Sequence, residues 1–380
     1  MAESCYFIGL ISGTSVDGVD AALVEFQGGS PRLLATHCEP MPEALRNSIL
    51  ALCTDQPVSL RQLGETGIET ARCFADAANQ VLEKSGKPAS LVRAIGSHGQ
   101  TVYHHPDSAA AFTLQIGDGA TIAEHTGIPV VSDFRSADMA AGGQGAPLAP
   151  LFHQACFHST EKQRLVLNLG GISNLSILHS DPEGPVTGFD CGPANVLMDG
   201  WIQQKRGLPY DRDGLWAASG RVNAELLEQC LREPYFARPI PKSTGRERFN
   251  REWLERQLTK LKQPLANQDV QATLLELTAR TVVDAVEQHS SGEAQLLVCG
   301  GGAHNRQLMQ RLAELLPDHD VIESGQLGVS ADWVEAVTFA WLARAFMEQR
   351  SVDCRRLTGA RHPCVLGALH HAASAPEAGS

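Results

Sequence analysis

The stretch Gly9-Leu10-Ile11-Ser12-Gly13-Thr14-Ser15-Val16-Asp17-Gly18-Val19-Asp20 decides the fold. Its first residues close an apolar run from Tyr6 to Ser12, and a second run, Ala21 to Phe26, follows it. Between the runs lies Gly13 to Asp20. Asp-Gly between two apolar runs signals a β-hairpin. Glycines let backbone N–H groups converge, and the hydroxyls of Thr14 and Ser15 add donors, so this turn suits an anion.

The same pattern returns later in the chain. Leu165 to Leu169 reads as a strand, Gly170-Gly171-Ile172-Ser173-Asn174 as a tight turn, and Leu175 to Leu178 as a second strand. Val186 to Asp190 is a further strand, stopped by Cys191-Gly192-Pro193, with a helix expected from about Ala194 to Gln204. A third glycine turn, Gly300 to Gly302, ends the strand Gln295 to Cys299. Strand-like and helix-like segments alternate throughout, which predicts an α/β protein. Helices are expected over Ser59 to Ser85, Asp269 to Gln288, His304 to Leu316 and Ala331 to Gln349, the last capped by Ser330. Ser132 to Pro150 holds Ala140-Ala141-Gly142-Gly143-Gln144-Gly145-Ala146-Pro147 and breaks regular structure. A domain boundary is placed near its start. The tail Ser374 to Ser380 is small and polar and is expected to lack regular structure.

Composition excludes several classes. There are 31 basic and 43 acidic side chains, net −12, which argues against a nucleic-acid partner. No apolar run reaches the ~18–20 residues of a membrane helix. No basic segment precedes an apolar run at the N-terminus, so no signal peptide is expected. Ten cysteines are scattered without C-x-x-C spacing, which suits a reducing cytoplasm and gives no zinc pattern. None of the glycine turns fits the P-loop, and Asn305 breaks G-x-G-x-x-G at the third turn.

The motifs then become specific. The stretch Gly9 to Asp20 resembles the N-terminal signature of the anhydro-N-acetylmuramic acid kinases. Ser97-His98-Gly99-Gln100-Thr101, Gln115-Ile116-Gly117-Asp118-Gly119 and Asp133-Phe134-Arg135-Ser136-Ala137-Asp138 match in order. So do Asn168-Leu169-Gly170-Gly171-Ile172-Ser173-Asn174, Phe189-Asp190-Cys191-Gly192-Pro193-Ala194-Asn195 and Lys242-Ser243-Thr244-Gly245-Arg246-Glu247. Cys299-Gly300-Gly301-Gly302-Ala303-His304-Asn305 and Asp332 to Ala336 complete the series. Val16 departs from the Met expected there.

The resemblance implies two actin-like (RNase H-like) ATPase domains with ATP in an interdomain cleft. They are expected at 1–131 with 361–380, and at 132–360. It implies ATP contacts from Gly13, Thr14, Ser15, Val16, Asp17, Gly18, Val19 and Asp20 at the γ-phosphate. Asn168, Gly170 and Gly171 serve the β-phosphate, and Gly301 and Gly302 lie under the adenosine. Asp17 is the candidate for Mg²⁺ through water, with Asp20 the other carboxylate at that turn. Both also read as turn-stabilising aspartates.

For the sugar, the resemblance implies Asp190 as the base that activates water. From the residues themselves Asp190 reads as an N-cap or turn aspartate. Glu335 is the second catalytic carboxylate, expected on the apolar helix face of Phe339, Leu342 and Phe346. Gln100 and Thr101 are candidate sugar hydrogen-bond donors. Arg135 is the candidate for a bidentate grip on the lactyl carboxylate, or else a linker salt bridge. A cytoplasmic homodimer acting on a small amino sugar and ATP is implied. The alternatives are a kinase of another anhydro sugar such as levoglucosan, which needs no Arg135, and a non-catalytic actin-like sugar-binding ATPase.

Overall fold

A computed structural model of the chain describes residues 5–372, apart from 14, 28, 29, 55, 182, 183, 185, 241 and 291. Thr14 and the tail Ser374 to Ser380 lie outside the described residues. The chain divides into two compact units, Met1–Cys156 with Trp333–Ser380, and Phe157–Asp332. The first holds strands β1 (Cys5–Ile11), β2 (Gly18–Gln27), β3 (Ser30–Pro40), β4 (Val92–Ser97), β5 (Gln100–His105), β6 (Phe112–Ile116) and β7 (Val130–Ser132). The second holds β8 (Arg164–Leu169), β9 (Ile172–Leu178), β10 (Thr187–Pro193), β11 (Gln295–Cys299) and β12 (Asp320–Glu323). β13 (Ala368–His370) returns to the first unit.

Sheet order is β13-β7-β4-β1-β2-β3 in the first unit and β10-β9-β8-β11-β12 in the second. In the first, β1, β2 and β3 form an antiparallel meander, and β4 and β7 continue it in parallel. In the second, β8, β9 and β10 form the meander, and β11 and β12 continue it in parallel. The order is the same once β13 is set aside. Each unit therefore has the actin-like plan expected from the motifs. The repeat, visible in sequence as a hairpin, extends to five strands.

The central strand β1 is an apolar run because both its faces are covered. Phe7, Ile8 and Leu10 are fully buried. One cover of the sheet is the helix Leu60–Ser85, started by Ser59 accepting from the Gln62 N–H and stopped by left-handed Gly86. The other is the helix Val334–Met347, apolar on nearly every side. It lies so close that a Cβ on Gly9 would overlap Ala336 O, and one on Gly96 would overlap Phe339 O.

That notch explains where the unit borders fall. They were expected at 131/132 and 360/361 and lie at 156/157 and 332/333. The helix Val334–Met347 fills a groove of the first sheet. The Ser132 to Pro150 segment is tied to the same unit, where Asp138 Oδ1 accepts from Thr358 Oγ1 at 2.7 Å.

Two local expectations change. Ser330 does not cap the helix: a 3₁₀ turn, Ala331–Trp333, precedes it, and Trp333 stands at the cap without a side-chain hydrogen bond. β10 is not stopped at Cys191 but runs on to Pro193 through a register shift between Asp190 and Gly192. Among the described residues, no helix is long and apolar enough to cross a membrane.

Candidate active site

Asp190 sits at that shift, where a bulge re-aims a side chain. Its Oδ1 accepts from Asn174 Nδ2, and its Oδ2 accepts from the Thr244 N–H at 2.8 Å. Its backbone is also pinned. Asp190 N–H donates to Lys242 O at 3.1 Å, and Tyr235 Oη donates to Asp190 O at 2.8 Å. Tyr235 is fully buried and packs edge-on to Phe249, itself stacked on Phe236 with ring centroids 5.6 Å apart. Burial pushes the Asp190 carboxyl up to about 6, against the pull of Thr244 and Asn174 and with help from Glu247. A carboxylate with its proton affinity near neutral and both oxygens held suits general-base work.

In the first unit, Arg135 and His98 form the corresponding polar cluster. Both stand just past C-terminal ends of parallel strands, His98 after β4 and Arg135 after β7. Arg135 Nε donates to His98 Nε2 at 2.8 Å, and Nη1 donates to Gly145 O at 2.8 Å. Burial, with the Arg135 charge second, holds His98 well below the usual histidine range. The ring is therefore neutral. Nδ1–H faces Gly99 O at 2.8 Å, which leaves Nε2 as the acceptor that Arg135 requires. Burial lowers Arg135, while Glu335 and Asp138 act to raise it.

The fork expected to grip a carboxylate is thus half committed to the protein. Glu335 also differs from expectation. It lies in the first turn of its helix and is exposed, not on a buried face. Thr101 Oγ1 accepts from Gln115 Nε2 at 3.1 Å. Gln100 is buried and gives Nε2 to Thr101 O at 3.2 Å, while its Oε1 has no partner.

The glycine turns separate into two kinds. A Cβ on Gly13, Gly170 or Gly171 would meet nothing nearer than 3.7 Å, and one on Gly301 nothing within 4 Å. Here the fold itself has room, so the bare backbone is open to a ligand. Gly18, Gly300 and Gly302 differ: a Cβ on Gly18 would lie 2.7 Å from Glu39 O, and one on Gly302 2.6 Å from Leu169 Cβ. A Cβ on Gly300 would overlap Asn168 Oδ1, so the second and third turns pack together. These cradles fit phosphate groups on open backbone.

At the first turn, exposed Asp17 accepts from Ser15 Oγ at 2.5 Å. Val16 is buried with φ 52, an unusual backbone for a β-branched residue. Val19 is buried in β2, and Asp20 pairs with Cys38 across β2 and β3. Asp17 fits a magnesium ion held through water, since Mg²⁺ takes few carboxylates.

Sequence reasoning missed Asn174, Thr244 and His98 as contributors. All three lie in quoted motifs, but only the fold shows that the first two meet Asp190 and the third meets Arg135.

A family model for anhydro-N-acetylmuramic acid kinase matches residues 5–372. The anhydro-N-acetylmuramic acid kinase of Pseudomonas fluorescens (strain Pf0-1) is 51% identical over 364 residues, 96% of this chain and 99% of that one. That of Shewanella halifaxensis (strain HAW-EB4) is 48% identical, covering 97% of this chain and 100% of its own. That of Vibrio cholerae (strain N16961) is 48% identical over 372 residues, 98% of this chain and 100% of its own.

Proposed function

The chain belongs to the anhydro-N-acetylmuramic acid kinase family, and we propose that it uses ATP and water to convert anhydro-N-acetylmuramic acid into N-acetylmuramic acid 6-phosphate and ADP. Asp190 takes a proton from water, and the oxygen attacks C1. The C1–O6 bond breaks, and its electron pair stays on O6. O6 bonds to the γ-phosphorus, and the bond to the β-phosphate oxygen breaks to give ADP. The leaving oxygen is itself the phosphoryl acceptor, so no separate general acid is required. One base then does what two carboxyl groups share in ordinary glycoside hydrolysis.

The observation that carries this reading is Asp190, held by donors on both oxygens and pushed up to about 6. Open backbone at Gly13, Gly170, Gly171 and Gly301 supports the phosphate and nucleotide contacts. Asp17 would hold Mg²⁺ through water, which neutralises phosphate charge. Glu335 would contact the sugar, its own charge facing that of Arg135. Arg135 Nη2, with no partner among the described residues, is left for the lactyl carboxylate, a single charged hydrogen bond in place of the bidentate fork. The assembly is a homodimer in the cytoplasm, serving recycling of cell-wall sugar.

A coupled ADP-release assay tests the reading against anhydro-N-acetylmuramic acid, levoglucosan and N-acetylmuramic acid. Turnover is expected with the first only. Equal turnover with levoglucosan would remove the need for Arg135, and ADP release with no sugar dependence would make the chain a plain ATPase.

A further inference from the structure

Asn174 is the third residue of β9, three residues past the turn glycine Gly171. Asp190 is its direct partner on β10. We propose that Asn174 is a positioning residue for the base: from the neighbouring strand it donates to Asp190 Oδ1 while the Thr244 N–H takes Oδ2, so the carboxylate is kept ionised and in one orientation. The inference rests on reading Asp190 as the base.

Donor logic fixes the amide. A carboxylate only accepts, so Asn174 must present Nδ2. Two donors occupy about half of the four lone-pair sites on the two oxygens, which leaves the others for water. The surroundings make these donors decisive. Burial favours the neutral acid, and Glu247 adds to it; the influences that favour ionisation are the Thr244 N–H and Asn174. Tyr235 and Cys191, also beside Asp190, are both pushed up and stay uncharged. Lys242 turns its Nζ to Phe236 O at 2.9 Å. Hydrogen bonds, rather than a cation, therefore offset burial.

Asn174 also links two functions through one strand. β9 begins at the open glycine turn and carries the amide that sets the base. A side chain on this strand that repelled or released Asp190 would leave the turn intact.

The test is the pH profile of kcat/KM in the ADP assay for the wild type, Asn174→Leu and Asn174→Asp. Activity needs ionised Asp190, so it falls as pH drops, with a wild-type half-point near 6. Removing a hydrogen bond to the charged form in Asn174→Leu moves this limb up by about one pH unit. That is about a five-fold loss at pH 6, recovered at alkaline pH. Asn174→Asp, isosteric and like-charged, moves it further and keeps the test should the leucine variant not fold.

A limb unmoved in both variants, or an equal loss at every pH, would overturn the proposal. A wild-type profile without an acid limb, or one kept with full turnover in Asp190→Asn, would overturn the base reading and this proposal with it.

Discussion

Asp20 and Cys38 in one unit stand where Asn174 and Asp190 stand in the other. Asp20 is the third residue of β2, as Asn174 is of β9, and each faces a partner on the third strand of its meander. The bulge in β10 accounts for Asp190 lying one residue further from the strand end than Cys38 does. In the first unit, burial and then Asp20 push the Cys38 thiol up to about 12, so it stays neutral. In the second, the amide on the middle strand donates to a carboxylate on the outer one and favours its charge. One scaffold position thus yields an inert thiol beside an acid, or a poised base beside an amide. The outer-strand groups differ, a thiol against a carboxyl, and burial raises both; the middle-strand residue then adds in opposite senses, Asp20 raising Cys38 further and Asn174 pulling Asp190 back.

The largest expected effect breaks the pair at its functional end. Asp190→Asn keeps the shape but cannot take a proton, so turnover should fall ~10²–10⁴-fold. Michaelis constants for sugar and ATP should change little in steady-state kinetics. Near-normal turnover would put the base elsewhere, with Glu335 next in line.

A smaller effect separates the two turns. Gly171→Ala adds a methyl that meets Val196 Cβ at an ordinary 3.8 Å. Melting should be unchanged, while KM for ATP rises on the order of ten-fold if one charged backbone contact is lost. Gly18→Ala should do the reverse. Its methyl would press on Glu39 O at 2.7 Å and Cys38 Sγ at 3.0 Å. Overpacking of this kind costs about 1–3 kcal/mol, which a thermal melt reads directly. Gly18 thus serves its own sheet, although it belongs to the phosphate-turn motif.

Much of this was legible in the sequence. Apolar runs around glycine turns predicted β1, β2, β8, β9 and β10, because a hairpin is a local device, but not β3, the third strand of the first meander. The unit borders were not legible. They depend on the helix Val334–Met347 fitting over Gly9 and Gly96, residues more than two hundred positions away. Asp190 was found through its motif, but its partners were not. Asn174 reads as one more turn residue, and Thr244 contributes only a backbone N–H, which leaves no trace in its side-chain type. Glu335 was placed on an apolar face by helical spacing. That argument fails on a helix apolar almost all round, where Glu335 is exposed although its first-turn neighbours Val334, Ala336 and Val337 are buried.

The central claim is that a water activated at Asp190 attacks C1 while O6 leaves to phosphorus. A single turnover in ¹⁸O-water, quenched before the free anomeric centre exchanges and read by mass spectrometry, tests it directly. One heavy oxygen is expected at C1 and none in the phosphoryl group or its ester oxygen. Label in the phosphate would mean that water attacked elsewhere, and it would contradict the mechanism built on Asp190.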